Sequence, residues 1–170
     1  MLDGVIAAAQ QTPGVDHVAV VSAERDSLPH DVPLIFEDCG DLNGALALGI
    51  SEVRAHGADR VVILAADLPN LQADDIDAMV RALESASCVL APDRHGAGTN
   101  GIGLDLIQLE AGAFPLCFGG NSFARHLEAA RSLGLAVRIV ETPGLALDVD
   151  EPDDLAVASQ LAPPVGAFAR

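Results

Sequence analysis

The chain has 170 residues, half of them apolar, enough for one globular domain with a sizeable core. Its formal net charge of -16 argues against binding to nucleic acid or to an anionic membrane, and it has neither Trp nor Tyr on which bases could stack. All nine basic residues other than histidine are arginine, which excludes a P-loop lysine, a Schiff-base lysine and the lysine of a phospho-receiver.

The elements alternate along the chain. "MLDGVIAAAQQTPG" reads as an opening helix. "DHVAVVS" (16–22) and "PLIFE" (33–37) read as strands, and "LNGALALGISEVRAHG" (42–57) as a helix closed by Gly57. "RVVILAAD" (60–67) is almost uniformly apolar, the pattern of a central parallel strand covered on both faces. "ADDIDAMVRALESA" (73–86) is a helix whose first-turn acids suit the macrodipole. "SCVLAPD" (87–93) is a strand, "RHGAGTNG" (94–101) a glycine-rich loop, and "IGLDLI" (102–107) a further strand. "NSFARHLEAARSLG" (121–134) is a helix ending on Gly134. "LAVRIVE" (135–141) and "LALDVD" (145–150) read as strands, and "EPDDLAVASQL" (151–161) as the closing helix. Residues 1–162 therefore form one α/β domain of three layers around a mostly parallel sheet, and 163–170 a loosely held tail. A doubly wound sheet usually opens on a strand and a ligand-binding loop, whereas this chain opens on a helix.

Three cysteines, Cys39, Cys88 and Cys117, are far apart and form no CxxC pair, so the sequence supports neither a zinc site nor a disulfide framework. They fit reduced thiols in a cytoplasmic protein. No run of about 18 apolar residues marks a membrane span, and no basic n-region marks a signal peptide.

Ligands of open α/β sheets bind beyond the C-terminal strand ends. Asp67 stands at one such end, and Asp148 and Asp150 at another. As a strand, "LDVD" would turn both carboxylates to one face. Three converging carboxylates repel one another unless a divalent cation lies between them, and Mg²⁺ takes one or two carboxylates with water and phosphate oxygens. Asp150 also reads as a helix N-cap, with Glu151, Asp153 and Asp154 as first-turn acids. Asp67 also reads as a turn residue ahead of Pro69. "APDRHGAGTNG" offers backbone N–H groups and the side chains of Thr99 and Asn100 to an anion, or serves as an ordinary polar loop. In "FGGNSFARH", Gly119, Gly120 and Ser122 precede a helix. That N-terminus suits a phosphate, or Asn121 or Ser122 simply caps it. His126 lies one turn into the helix and could face either way, and His95 reads as solvated.

Taken in order, "LNGAL", "ILAADLP", "APDRHGAGTNG", "FGGNSFARH" and "LDVDEPDDL" resemble the guanylyltransferases of coenzyme F420 biosynthesis. These 2-phospho-L-lactate/phosphoenolpyruvate guanylyltransferases share the Rossmann-like, molybdenum-cofactor-type nucleotidyltransferase fold. The resemblance spans roughly residues 1–160. It implies that the phosphate of a small phospho-acid attacks the α-phosphorus of GTP and that pyrophosphate leaves, with Mg²⁺ as cofactor. It implies Asp67, Asp148 and Asp150 as the metal-site acids, and Thr99, Gly119 and Ser122 around the phospho-acid. Asn43, Gly44, Pro92, Asp93 and Asn100 would lie along the nucleotide. A homodimer is compatible with this family.

Family members open with a strand and a basic loop that grips the phosphates. This chain starts at about the first helix of that fold, and weak triphosphate binding is the expectation. Asp41 stands where a neutral residue is expected beside the nucleotide. Two alternatives follow: a non-catalytic or impaired relative that keeps the fold, and a nucleotidyltransferase with another acceptor. A phospho-receiver with Asp67 as acceptor lacks its lysine.

Overall fold

A computed structural model describes residues 1–24, 28–36 and 40–149. The opening helix, α1 (Leu2–Gln11), buries Val5, Ile6, Ala8 and Ala9. Two short strands follow, β1 (Val20–Ser22) and β2 (Leu34–Phe36), which pair in parallel. Helix α2 (Leu42–Ala55) starts at Asp41, whose carboxylate accepts the N–H groups of Asn43 and Gly44 at 3.2 and 3.1 Å. The acid that looked out of place beside a nucleotide is thus the helix cap, a role that suits both its chemistry and the dipole. Gly57 ends this unit with a φ of +89°, the left-handed conformation that glycine adopts most readily.

The main sheet contains β3 (Arg60–Leu64), β4 (Cys88–Pro92), β5 (Thr99–Asp105) and β6 (Val137–Ile139) in the order β3-β5-β4-β6. Strands β3, β4 and β6 run in one direction and β5 in the other. Three of the four strands thus share one direction, as anticipated for a mostly parallel sheet, and β5 runs antiparallel between β3 and β4. Helix α3 (Ala73–Ala82) begins at a capping box between Gln72 and Asp75. Helix α4 (Ser122–Ser132) ends ahead of Gly134, and α5 (Pro143–Ala146) is a single turn.

Alternation along the strands makes the three layers. On β4, Val89 and Ala91 join one buried cluster with α1 and α3, through Val5, Ile76 and Met79. Cys88 and Leu90 join the opposite cluster with Ile102, Leu104 and Ala130, against which Ile50 and Val53 of α2 pack. Both faces of β4 are thus covered, and every residue of β4 and β5 is buried. Gly101 and Gly103 fit this crowding. A Cβ at Gly101 would stand 3.0 Å from the Met79 side chain, and one at Gly103 3.1 Å from Leu83.

Three expectations change. Among the described residues β3 is the edge of the four-stranded sheet rather than central, and its residues are at most half-buried. Thr99 and Asn100 begin β5 instead of lying in the glycine-rich loop. Over the described residues 145–149 the expected strand is not formed. Thr142 caps α5 by accepting the N–H of Leu145, Pro143 stands in the first turn, and residues 147–149 carry no ladder. A Thr-Pro helix start outweighs the apolar alternation that follows it. Asp150, the closing helix over 151–161 and the tail lie outside the described residues.

Candidate active site

Residue-level hydrogen bonds gather the candidate positions at one end of the sheet. Asp67 follows β3. Two residues before it, the N–H of Ala65 donates to the carbonyl of Asn100 at 2.9 Å, which ties this strand end to the start of β5. The N–H of Val149 donates to the carbonyl of Asp67 at 3.2 Å. The segment carrying Asp148 is thereby fastened to Asp67 through the main chain, without the strand once expected there. Both acids are half-buried. Two carboxylates on adjoining segments fit the donor chemistry of Mg²⁺, which needs only one or two and takes its other ligands from water and phosphate. Among the described residues, no group of three or more His, Cys, Asp or Glu could hold a metal ion. The third acid proposed from sequence, Asp150, is not among them.

Asp93 organises the loop between β4 and β5. One carboxylate oxygen accepts the N–H groups of His95 and Ala97, each at 2.9 Å, and the other accepts that of Gly98 at 2.7 Å. Partial burial by itself raises the Asp93 pKa. The backbone donors Ala97, Gly98 and His95, with the charge of His95, outweigh it, and the net shift is downward. Gly98 is required here, because a Cβ on it would stand 2.7 Å from the Asp93 carboxylate. The Arg94 N–H donates to the carbonyl of Ala146 at 2.7 Å, so the loop also anchors the α5 segment. Pro92 is buried at the end of β4, where the register with β5 shifts.

Asn100 is buried, and its amide donates to the carbonyl of Leu145 at 3.0 Å. Asn43 makes a two-way bridge to the backbone of Phe118. Its Oδ1 accepts that N–H at 2.7 Å, and its Nδ2 donates to that carbonyl at 3.4 Å. These two side chains therefore hold main chain at the site's edges, with Gly44 in the first turn of α2 beside Asn43.

The segment after Phe118 turns sharply. Gly119 has a φ of +116° and Asn121 one of +57°. Neither Asn121 nor Ser122 caps α4 in the usual way: Asn121 makes no side-chain capping bond, and the Ser122 hydroxyl points to Thr99 at 3.3 Å. The N–H of Phe123 instead donates to the carbonyl of Ala97 at 3.1 Å, joining the start of α4 to the glycine-rich loop. A Cβ on Gly119 would stand 3.5 Å from the Arg125 guanidinium, which sets a cation beside this turn. Sequence reasoning passed over Arg125. Its place in the first turn of a helix, next to Gly-Gly, was the available signal.

Behind Thr99 and Ser122, His126 faces inward and is fully buried. Thr99 Oγ1 lies 3.0 Å from its Nδ1, and the N–H of Cys117 donates to its Nε2 at 2.8 Å. Burial, with the Arg125 charge second, lowers the imidazole pKa to about 4. His95 is exposed, as expected. Cys88 is a buried free thiol, and burial raises its pKa to about 12, so it is inert at neutral pH. A polar cleft at the other end of the sheet is lined by Arg60, Ser87, Asp105 and Gln108, and there Ser87 and Asp105 both bond to the Gln108 side chain.

Comparison with known proteins shows the family and the fold. A phosphoenolpyruvate guanylyltransferase of Sphaerobacter thermophilus is 42% identical over 172 aligned residues, spanning 98% of this chain and 80% of that protein. A 2-phospho-L-lactate guanylyltransferase of Methanothermobacter thermautotrophicus is 36% identical over 146 residues, covering 83% of this chain and 62% of the relative. A crystal structure described as a putative nucleotide-diphospho-sugar transferase from Desulfovibrio desulfuricans superposes with a TM-score of 0.76. It covers 91% of this chain and 69% of that one, at 18% identity, and it shares the fold. No described helix is long and apolar enough to cross a membrane. The family described as "Guanylyl transferase CofC like" matches residues 1–158, and this chain belongs to that family.

Proposed function

We propose that the chain transfers GMP from GTP to a small phospho-acid, either phosphoenolpyruvate, 2-phospho-L-lactate or a close analogue. Pyrophosphate is released, and the product enters coenzyme F420 biosynthesis. The observation that supports this reading is that backbone bonds tie the segments of Asp67, Asp148 and Thr99–Asn100 together at one sheet end, where two chemically different halves can be read. Asp67 and Asp148 form an acidic half, linked by the Val149 bond. Thr99, Ser122 and the Gly119 turn with Arg125 form a half rich in hydrogen-bond donors.

In this reaction a phosphate oxygen of the acceptor forms a bond to the α-phosphorus of GTP, and the bond from that phosphorus to the bridging oxygen of pyrophosphate breaks. The attacking phosphate is already ionised at neutral pH, so no strong general base is required. Alignment and charge neutralisation supply the acceleration. Asp67, Asp148 and Asp150 would hold Mg²⁺, which supplies Lewis-acid stabilisation of the phosphoryl oxygens when bound. The Thr99 hydroxyl and the backbone of Gly119 orient the phospho-acid, with the Ser122 hydroxyl donating to Thr99 behind it. Asn43, Gly44, Pro92, Asp93 and Asn100 frame the nucleotide side in this reading; the backbone bonds of Asn43, Asp93 and Asn100 are consistent with their fixing main chain there. The reading is of a cytoplasmic enzyme, and a homodimer is consistent with it.

The test is direct. The full chain is incubated with GTP, Mg²⁺ and either phosphoenolpyruvate or 2-phospho-L-lactate, and pyrophosphate is followed by a coupled assay. Release that depends on GTP, phospho-acid and Mg²⁺ together is expected. Tight binding of GTP and acceptor without any pyrophosphate would overturn the catalytic reading in favour of a binding module.

A further inference from the structure

His126 is a buried titratable group that the proposed reaction leaves without a role. Its two ring nitrogens have different partners. The backbone N–H of Cys117 can only donate, and it donates to Nε2 at 2.8 Å. Nε2 therefore carries the lone pair, and the single proton of the neutral ring sits on Nδ1. That N–H donates to Thr99 Oγ1 at 3.0 Å. The Ser122 hydroxyl donates to the same oxygen at 3.3 Å. With both lone pairs of Oγ1 engaged, the Thr99 hydroxyl has only its own proton to offer another group.

The aromatic surroundings fix the ring. Phe118 meets it edge-on, with centroids 4.8 Å apart and planes at 68°, and Phe114 stacks at 6.2 Å and 22°. Turning the ring over would remove the acceptor from Cys117 N–H and the donor from Thr99 together. Burial keeps the ring neutral, and hence this tautomer in force, across the neutral range.

We infer that His126 is the positioning residue of the phospho-acid site. Its Nδ1 proton makes Thr99 an outward hydrogen-bond donor, and its Nε2 holds the backbone that leads from Cys117 to Gly119. A phosphate or carboxylate at neutral pH mainly accepts hydrogen bonds, so a threonine restricted to donating suits that ligand class and disfavours ligands that present donors. The inference rests on the reading that Thr99 and Gly119 hold the acceptor, with Ser122 behind Thr99.

Two variants separate this role from packing alone. His126→Asn keeps a donor near the Nδ1 position, and His126→Gln keeps an acceptor near Nε2. Both lose aromatic area, so both lower thermal stability to a similar degree. The binding of phosphoenolpyruvate and of GTP is measured for each by calorimetry on the full chain. His126→Gln is expected to weaken phosphoenolpyruvate by about tenfold, the loss of one hydrogen bond to a charged ligand, with GTP affinity unchanged. His126→Asn is expected to recover most of that loss. Long-range ¹H–¹⁵N spectra of the wild type should show a protonated Nδ1 and a bare Nε2 at pH 7.

A proton on Nε2, or equal phosphoenolpyruvate affinity in wild type and both variants, overturns the inference. Equal losses in the two variants also overturn it, because packing alone would then account for them. If the wild type bound GTP but none of phosphoenolpyruvate, 2-phospho-L-lactate or inorganic phosphate, the acceptor reading itself would fall, and this inference with it. A wild type that binds acceptor while the variants fail to separate sinks the inference alone.

Discussion

The main-chain N–H of Val149 donates to the carbonyl oxygen of Asp67 across 3.2 Å, and this one bond sets the two acidic segments of the site beside each other. Because it is a backbone bond, it survives substitution of either carboxylate. Asp67→Asn and Asp148→Asn should therefore keep the fold while losing metal affinity. Each is expected to weaken Mg²⁺ by at least about tenfold in a calorimetric titration and to reduce pyrophosphate release by about a hundredfold or more. Unchanged Mg²⁺ affinity in Asp148→Asn would return that acid to the role of a turn residue.

Asn43 ties α2 to Phe118 through both ends of its amide, one residue before Gly119. Asn43→Ala leaves the Phe118 N–H and carbonyl without that bridge. A stability loss of about 1–2 kcal/mol is expected in urea unfolding, from two partly buried bonds. Asn43→Asp restores only the acceptor for the Phe118 N–H and should recover part of the loss. If Asn43→Ala unfolded at the wild-type urea concentration, the bridge would not be fixing the turn.

Gly144 lies where α5 meets α3. A Cβ there would collide with the Asp75 carboxylate and stand 3.0 Å from the Asn70 carbonyl. Asp75 cannot swing aside freely, because Oδ2 accepts the Gln72 N–H at 2.8 Å to start α3. Gly144→Ala is expected to cost about 1–3 kcal/mol through overpacking and a damaged capping box. Since α5 leads directly to Asp148, Mg²⁺ affinity should fall with it. A variant as stable as wild type would show that this contact relaxes without loss.

Much of this was readable beforehand, and the failures have separate causes. "SCVLAPD" reads as a strand, and β4 is one, buried along its whole length. "MLDGVIAAAQQTPG" reads as an opening helix, and α1 packs Val5 and Ala9 into the core. Strand direction and neighbours are not encoded in periodicity. "RVVIL" thus looked central although β3 pairs with β5 alone among the described strands, and the reversed run of β5 went unread. The alternation in "LALDVD" imitated a strand where Thr142 and Pro143 start a helical turn. At the candidate site, residue types picked out strand ends and turns, but not the bonds made there. What they do there is set by partners distant in sequence, such as Asn43 with Phe118 and Thr99 with His126, 75 and 27 residues apart.

Arg125 stands beside the Gly119 turn in the first turn of α4. An exposed guanidinium there contributes little to folding but is well placed to meet an anionic acceptor. Arg125→Ala should leave the melting temperature within about 2 °C and raise KM for the phospho-acid about tenfold, with little change in KM for GTP. Arg125→Lys keeps the charge but not the fork, and should fall between the two. Equal rises in both KM values would place Arg125 on the nucleotide side instead.

The buried imidazole of His126 makes stability depend on pH. Its pKa is lowered from 6.5 to about 4 in the folded chain, by burial first and Arg125 second. Between these values the unfolded chain holds a proton that the folded chain does not. Stability from this group is therefore complete above about pH 6.5, falls as the pH drops through that window, and is lost by about pH 4. The span corresponds to roughly 3 kcal/mol. Titration of the many carboxylates also changes stability with pH, so the useful quantity is a difference. Unfolding free energies of wild type and His126→Gln, measured from pH 7.5 to 4, should converge as the pH falls, because glutamine carries no proton to release. Parallel curves would mean that the ring takes up its proton at the same pH in the folded as in the unfolded chain, near 6.5. Below that pH Nε2 would no longer accept the Cys117 N–H, and the link from α4 to the Gly119 turn would have to be carried by another group.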